Sequence, residues 1–282
     1  MRLASYVENG KVRAALVDGQ SLIDVGRRLK GAPESIRLLL EQDWLSRLES
    51  LPGKGLADLS LEEATLAPVV PDAQKIFLVL LNYESDRIAQ GRPKLQYPHL
   101  MTRFADSQIG HRSALVIPRA TKEFDFEGEL AVVIGRGGRA ITKEGAMNHV
   151  AGYACYNDCG ARDFMRHARH FTAGKNFPAS AGFGPFLVTR QEAPEPAKMR
   201  LQTRLNGEVF QDGCPGELSF QVPELISYIS TFTELRSGDV IVTGTPLGAG
   251  HSRSPPRFLR PGDVVDVEIT GLGVLSNPCV AE

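Results

Sequence analysis

The sequence predicts an α+β fold, in which a mixed β-sheet roll makes up most of the chain and a small N-terminal α+β domain precedes it. From residue 75 onward, short apolar segments rich in Val and Ile are separated by Gly, Pro and Asp, a pattern typical of strands and turns. Helical segments are few and do not alternate regularly with the strands, which disfavours a doubly wound α/β sheet. The 282 residues are enough to bury a sizeable core without covalent cross-links.

The first 70 residues have the pattern of a small separate module. Segments 2–6 and 12–17 predict two strands joined by a tight turn at Asn9-Gly10. A proline-bounded segment at 66–71 predicts a linker, so we predict domains at 1–70 and 71–282. Segments 21–29 and 32–51 have helical periodicity, and the candidate core residues of the second are Leu38, Leu39, Leu40, Trp44, Leu45 and Leu48.

The remaining elements are predicted from short apolar runs and their spacing. Strands are expected at 76–81, 129–134, 184–189, 200–205, 240–243, 264–269 and 274–275, and helices at 143–149, 161–170 and 222–233.

Composition and charge exclude several classes of function. The formal net charge of −1 provides no broad positive surface for nucleic acid or an acidic membrane. No apolar run approaches the roughly 18 residues that span a bilayer, and the N-terminus has no cleavage signal, so we expect a cytoplasmic protein. The four cysteines form no C-x-x-C pair, so we expect buried free thiols and no structural zinc.

The most informative segment is Asp125-Phe126-Glu127-Gly128-Glu129, at the head of an apolar, β-branched run. Residues i and i+2 of a strand face the same side, so Glu127 and Glu129 are predicted to lie side by side. Two like charges on a buried face need a positive partner, and Mg²⁺ and Mn²⁺ prefer carboxylate oxygens. A metal site is one interpretation; a solvated strand edge, or a partner for Arg or Lys, is the other.

Three further features have chemistry that suits such a site. Asp158 lies where an apolar strand gives way to a helix, and alone it is typical of an N-cap. Lys175 lies in a loop rich in Gly and Pro, where it is either exposed or, beside a metal, an anion clamp or proton donor. The segment Gly244-Thr245-Pro246 offers backbone N–H and hydroxyl donors for a carboxylate or phosphate, and is also typical of a tight turn.

The order of these motifs resembles the fumarylacetoacetate hydrolase family from about residue 70 to the C-terminus. Each block alone is weak, but their shared order indicates membership. The blocks include Leu81-Asn82-Tyr83, Asp125 to Glu129, Asn157-Asp158, Arg162-Asp163, Lys175, Asn206-Gly207-Glu208, Gly244-Thr245-Pro246 and Gly262-Asp263.

The resemblance implies the family's C-terminal fold, a homodimer, and a Mg²⁺ or Mn²⁺ ion held by Glu127, Glu129 and Asp158. It implies that Lys175 contacts the substrate or stabilises developing charge, and that Arg162 is the family's Arg after the metal-binding Asp. These two and Asp86, discussed below, are the predicted catalytic residues.

The resemblance also implies a small-molecule substrate, a 2-oxo or 2,4-dioxo acid whose enolate the metal stabilises as a Lewis acid. The Gly244-Thr245-Pro246 turn would hold the substrate carboxylate, with Thr245 as the donor. We also predict substrate contacts from Tyr83 and Arg103. A group of basic residues between 86 and 111 either binds a distal carboxylate of the substrate or is simply solvated; its members are Arg87, Arg92, Lys94 and Arg103.

The sequence departs from the family at the pair that activates water. Hydrolases of the family usually have Asn-Tyr-x-x-His-x-x-Glu, whereas here Asp86 stands at the His position and Ala89 at the Glu position. Asp86 serves as a base if burial raises its pKa. A nearby histidine is the alternative, and the candidates are His99, His111, His167 and His170.

We therefore predict a metal-dependent hydrolase that cleaves a C–C bond in an acylpyruvate-like 2,4-dioxo acid. The missing His-Glu pair favours a second hypothesis, a decarboxylase or an isomerase or tautomerase of the oxaloacetate or dienoate type, which uses the same site without activating water. A third hypothesis is a scaffold that binds a 2-oxo acid without turnover.

Overall fold

The strands of this protein form two large sheets and one short pair. The computed structural model describes residues 1–51, 57–168 and 170–282. The strands in these ranges are β1 (Arg2–Glu8), β2 (Lys11–Asp18), β3 (Ser21–Asp24), β4 (Leu59–Ser60), β5 (Ile76–Leu80), β6 (His99–Thr102), β7 (Gln108–Ile109), β8 (Leu115–Ile117), β9 (Phe124–Asp125), β10 (Gly128–Ile134), β11 (Val150–Asn157), β12 (Gly160–Ala161), β13 (Ala181–Thr189), β14 (Leu201–Leu205), β15 (Glu208–Gly213), β16 (Val240–Val242), β17 (Val264–Ile269) and β18 (Gly273–Ala281).

Most helices are a single turn or two. The longest in the described residues has a capping box, in which Gln221 and Glu224 exchange side-chain and backbone hydrogen bonds. The helices are α1 (Val25–Arg28), α2 (Ile36–Glu41), α3 (Leu45–Glu49), α4 (Glu84–Ala89), α5 (Arg162–Met165), α6 (Thr172–Lys175) and α7 (Val222–Phe232). In the described ranges no helix combines the length and apolarity needed to cross a bilayer.

The larger sheet combines the N-terminal strands with strands from the rest of the chain as far as residue 242. Its order is β4-β3-β2-β1-β13-β11-β10-β16-β5-β6, with β7 added beside β13. The N-terminal strands join it through β1, whose Arg2 and Leu3 pair with Val188 and Leu187 of β13. The first 70 residues therefore share a sheet with the rest of the chain, and the predicted domain boundary at residue 70 stays a prediction.

The two faces of β10 belong to different cores. Ala131 and Val133 pack in one cluster with Leu39 of α2 and other N-terminal residues. Leu130 and Val132 point to the opposite face and pack with α7 and with the second sheet, whose order is β15-β14-β17-β18-β8. Complete burial of such side chains contributes about 1.5–3 kcal/mol each, so this strand is held rigidly from both sides.

The predicted fold class is confirmed, and four predicted elements need correction. Segment 32–51 forms two short helices, α2 and α3, instead of one. The turn at Asn9-Gly10 joins β1 and β2, with positive φ at both residues as a tight hairpin requires. Segment 21–29 is not one helix, because residues 21–24 pair with β2. Segment 161–170 is helical only to Met165, residue 169 lies outside the described residues, and 143–149 forms only a 3₁₀ turn at Ala146–His149.

Candidate active site

Three carboxylates meet at one end of the β10–β11 pair. The strands are antiparallel, Gly128 pairs with Asn157, and the backbone N–H of Asp158 donates to the carbonyl oxygen of Glu127 at 2.8 Å. This register places Asp158 beside Glu127, and the two-residue period of a strand places Glu129 on the same side. One carboxylate oxygen from each of the three residues lies within 4.8 Å of the others. The structure thus brings together the trio that the sequence singled out.

A buried lysine lies among these carboxylates. Lys175 ends α6 and is 2% exposed, so the alternative of an exposed loop lysine is wrong. Its Nζ donates to Asp158 Oδ2 at 2.5 Å and to the Asp158 carbonyl at 2.6 Å, and it also bonds Glu127 Oε2. Burial disfavours the ammonium, but Asp158 and Glu127 outweigh this and raise the pKa of Lys175, so it stays protonated.

Two arginines supply further positive charge. Arg162 begins α5 and pairs with Asp125 at 2.8 Å and with Glu127 at 2.6 Å. Arg103 follows β6 and pairs with Asp158 at 2.7 Å. Burial opposes ionisation of Glu127, yet Arg162 and Lys175 together lower its pKa. Glu127 is therefore held as a carboxylate.

Glu129 differs from the other two carboxylates, because no Lys, Arg or His side chain among the described residues pairs with it. Its Oε2 accepts a hydrogen bond from the backbone N–H of Gly244 at 2.5 Å. Burial, Asp158 and Glu127 raise the pKa of Glu129 well above its usual range. The site is thus short of positive charge at Glu129, and its donor set of three carboxylates fits a hard divalent cation such as Mg²⁺ or Mn²⁺.

The trio faces a cavity of about 190 Å³. One part of its wall is apolar, formed by Leu78, Val79, Leu80, Leu81, Met101, Met165, Phe171, Pro246 and Ala249. The other part is polar, formed by Asp86, Gln90, Arg92, Glu127, Glu129, Asp158, Arg162, Lys175, Thr245 and His251. A cavity in which an apolar wall faces convergent polar groups is typical of a small-molecule site.

Asp86, the candidate base from the sequence, lies on this wall. It is on α4, and its Oδ2 accepts a hydrogen bond from Gln90 Nε2 at 2.8 Å. Burial raises the pKa of Asp86, although the Gln90 hydrogen bond opposes the shift. Ala89, at the expected Glu position, is exposed, and Gln90 one residue later contacts Asp86 instead, a partner that the sequence comparison did not indicate.

A histidine that the sequence reasoning missed lies on the same wall. His251 follows the glycine-rich turn, and its Nδ1 lies 2.9 Å from Asp125 Oδ2. Burial opposes ionisation of Asp125, but Arg162 and His251 lower its pKa. The four histidines considered from the sequence, His99, His111, His167 and His170, do not line this cavity. The sequence feature that could have indicated His251 is its position shortly after the glycine-rich turn.

The glycine-rich turn Gly244-Thr245-Pro246 forms hydrogen bonds to its own protein and also lines the cavity. Gly244 has φ +101°, and a Cβ there would lie 2.9 Å from Asn82 Cβ, so the turn requires glycine. Its N–H is taken by Glu129, and the Thr245 hydroxyl donates to the Gly128 carbonyl at 2.9 Å. Thr245 and Pro246 nevertheless line the cavity. Substrate binding by this turn stays a prediction.

Two predicted substrate contacts lie elsewhere in the structure. Arg103 is 3% exposed and its guanidinium is used by Asp158, so it lies behind the carboxylates, not on the cavity wall. Tyr83 is fully buried beside Leu218, outside the lining. Neither side chain faces the cavity, and of the predicted basic group only Arg92 does.

The chain belongs to the fumarylacetoacetate hydrolase family. The family's C-terminal domain matches residues 75–280, which contain every residue of the cavity wall. The protein is therefore an enzyme of this family by sequence and by fold.

Two curated relatives are described as oxaloacetate tautomerases. The mitochondrial fahd2 protein of Xenopus laevis is 34% identical over 288 residues, covering 99% of this chain and 90% of its own. YisK of Bacillus subtilis is 38% identical over 222 residues, covering 77% of this chain and 74% of its own.

Solved structures share the fold over the whole chain. A fumarylacetoacetate hydrolase from Exiguobacterium antarcticum superposes with a TM-score of 0.83 at 30% identity, covering 100% of both chains. Maleylpyruvate hydrolase from Sphingobium sp. SYK-6, solved with manganese(II) and pyruvate, superposes with a TM-score of 0.83 at 26% identity, covering 100% of this chain and 99% of its own.

Proposed function

We propose that this protein is a divalent-metal-dependent tautomerase of a short 2-oxo dicarboxylic acid, with oxaloacetate the first substrate to test. The observation that carries the proposal is the trio of carboxylates Glu127, Glu129 and Asp158, which among the described residues lacks a positive partner at Glu129. The trio lines a small cavity whose wall, in the described part of the chain, does not have the family's His-Glu pair. The descriptions of the two curated relatives support the same reaction. Tautomerisation moves a proton between carbon and oxygen and needs no activated water.

The three carboxylates would hold the cation. A bound Mg²⁺ or Mn²⁺ supplies Lewis acidity toward the 2-oxo acid. Lys175 fixes Glu127 and Asp158 in place through its three hydrogen bonds. Arg162 pairs with Glu127 Oε1, so the carboxylates are preorganised before substrate arrives.

The rest of the wall shapes the reaction. The apolar side chains exclude water and strengthen electrostatic interactions inside the cavity. Two groups on the wall can carry a proton, Asp86 and His251. The sequence pointed to the first and the structure adds the second.

Hydrolysis of an acylpyruvate was the first prediction from the sequence, and it remains the competing function. It requires a base that activates water, and Asp86 with its raised pKa is the candidate for that role. The solved maleylpyruvate hydrolase shows that the fold accommodates hydrolysis in a relative. The homodimer likewise stays a prediction.

The purified protein should be tested with enol-oxaloacetate, an acylpyruvate and oxaloacetate, each with Mg²⁺, Mn²⁺ or a chelator. We expect metal-dependent loss of the enol's ultraviolet absorbance without release of CO₂. Pyruvate and a carboxylic acid formed from the acylpyruvate would instead identify a hydrolase, and CO₂ from oxaloacetate a decarboxylase.

The Glu129→Gln variant is the matched control for the metal. It removes one ligand charge with little change of shape, so metal-dependent turnover should be lost while the fold persists. If none of the three substrates is converted with either metal, the tautomerase proposal fails and the non-catalytic scaffold is favoured.

A further inference from the structure

Asp125 and His251 form a carboxylate–imidazole pair at the edge of the cavity. Asp125 is fully buried, and His251 is partly exposed on the cavity wall. The Nδ1 atom of His251 lies 2.9 Å from Asp125 Oδ2, and the backbone N–H of His251 donates to the same oxygen at 3.1 Å. The imidazole is thus attached to the carboxylate through both its ring and its backbone.

The partners of Asp125 fix the tautomer of the ring. Its oxygens accept hydrogen bonds from Arg162 Nε at 2.8 Å, Gly250 N at 2.9 Å and Phe126 N at 3.0 Å. A carboxylate surrounded by donors is the acceptor toward the ring as well, so Nδ1 carries the hydrogen. Nε2 is then left with its lone pair, and no hydrogen bond to it is formed by the described residues.

Resting on the proposed function, we infer that His251 is the base that moves the proton at the carbon next to the 2-oxo group, and that Asp125 positions it. Nε2 takes a proton from that carbon, and the electrons of the broken C–H bond form the C=C bond of the enol. The π electrons of the carbonyl move to the 2-oxo oxygen, which takes up a proton from water, and the imidazolium then gives its proton to the hydroxide that remains, so that water and the neutral ring are restored. In the opposite direction each transfer reverses, so atoms and charge balance.

Asp86 is the competing base, and its surroundings differ. One of its oxygens accepts a hydrogen bond from the amide of Gln90. This amide is neutral, so it does not stabilise a charge on Asp86 as an ionised partner would. His251 is held by a charged carboxylate, which both orients the ring and stabilises the imidazolium that forms when Nε2 takes a proton. The geometry therefore favours His251 for transfer at carbon.

The experiment compares the wild-type protein with His251→Ala, Asp86→Asn and the exposed control His99→Gln. Two rates are measured for each protein. The first is deuterium exchange into the methyl group of pyruvate in D₂O with Mg²⁺, followed by NMR, and the second is the conversion of enol-oxaloacetate. Exchange at that carbon is shared by every enolate reaction, so it tests the base separately from the substrate. We expect His251→Ala to lower both rates about 100-fold, with partial rescue of exchange by added imidazole, and His99→Gln to leave them unchanged.

The outcomes separate the two proposals. His251-dependent exchange of pyruvate without oxaloacetate conversion would keep His251 as the base and reject the tautomerase. Oxaloacetate conversion that persists in His251→Ala, or is lost only in Asp86→Asn, would overturn the inference and keep the tautomerase. Absence of both reactions in the wild type would reject both.

A second readout does not use turnover. In metal-free protein labelled with ¹⁵N-histidine, the ring signal absent from His251→Ala should be that of the Nδ1–H tautomer. A ring protonated only at Nε2 would overturn the inference, because that atom could not accept a proton.

Discussion

Lys175 places a positive charge inside a cluster of carboxylates, and its removal tests how the site is held together. Lys175→Met leaves Glu127 and Asp158 buried without their shared ammonium. Breaking one side of a buried ion pair leaves uncompensated charge, so we expect the free energy of unfolding of the chelator-treated protein to fall by about 3 kcal/mol. Urea unfolding followed by circular dichroism measures the change.

The matched control for this prediction is an exposed lysine in an ion pair. Lys143 bonds Glu224 on the surface, and Lys143→Met should cost less than about 1 kcal/mol. Equal losses in the two variants would show that Lys175 does not stabilise the carboxylates. Added Mg²⁺ should also raise the stability of Lys175→Met, because the cation supplies the missing charge.

At the residue scale, the sequence was sufficient for the carboxylates but not for their partners. Glu127 and Glu129 follow from strand periodicity, which is a local property. Arg103 and His251 reach Asp158 and Asp125 from 55 and 126 residues away, and no local pattern encodes such contacts. Arg103 was consequently predicted to bind substrate, whereas the structure pairs it with Asp158.

Gly128, the first residue of β10, lies between Glu127 and Glu129 and has no room for a side chain. A Cβ on Gly128 would lie 1.9 Å from Thr203 Oγ1 of β14, in the second sheet. Overpacking of this kind costs about 1–3 kcal/mol, so Gly128→Ala should lower the unfolding free energy by that amount and displace the neighbouring carboxylates. Thermal unfolding and Mn²⁺ affinity report the two effects.

A substitution at Thr203 tests whether a clash with its hydroxyl is the reason why Gly128→Ala is destabilising. This hydroxyl is buried and has no hydrogen-bond partner, so Thr203→Ala alone should cost little. The double variant Gly128→Ala/Thr203→Ala should recover part of the stability lost in Gly128→Ala. Gly145→Ala, whose Cβ would make only an ordinary contact at 3.4 Å, is the control; the same loss there would contradict the steric explanation.

The loop that follows β7 is attached to β18 by a histidine with a pH-dependent contribution. His111 Nδ1 accepts the backbone N–H of Ser276 at 3.0 Å, which requires an unprotonated Nδ1. Burial and, to a smaller extent, Arg112 lower the pKa of His111 to about 4, while Asp266 opposes the shift. The unfolded chain binds this proton near the ordinary pKa of about 6.5, so stability is present above that pH and is lost as the pH falls toward 4.

The free energy of unfolding should fall by roughly 1–2 kcal/mol between pH 6.5 and pH 4. The full linkage value is about 1.4 kcal/mol per pKa unit, and partial exposure of the ring reduces it. Urea unfolding of the wild type and of His111→Asn across this pH range isolates the contribution of His111 to stability, since the other groups titrate equally in both proteins. His99→Asn, on an exposed side chain, should retain the wild-type slope. A His111→Asn curve parallel to the wild type would refute the assignment.

Elements were predictable where their pattern is local and long. Segment 264–269 forms β17 with the predicted bounds, and α7 ends one residue before its prediction. Segment 21–29 was predicted as one helix, but its first half forms β3, because pairing with β2 outweighs helical periodicity. Tertiary pairing of this kind is not visible in a single segment.

At the scale of the whole molecule, the sequence suggested two domains and the structure shows one continuous sheet. Residues of α2 share a core cluster with β10 and β16, and β1 pairs with β13. We therefore expect a single cooperative unfolding transition for the full chain, because neither part retains its core without the other.

The only tryptophan makes this prediction measurable. Trp44 lies before α3 and packs against the shared cluster, so its fluorescence reports the N-terminal 70 residues, whereas circular dichroism is dominated by the sheets. The two urea curves should coincide. Leu39→Ala, in the buried core, should shift both by about 2–5 kcal/mol, and the exposed control Val209→Ala should shift neither. If instead Trp44 reports an earlier transition while the circular dichroism curve keeps its midpoint, residues 1–70 fold independently, and the continuous sheet does not couple them to the carboxylate site.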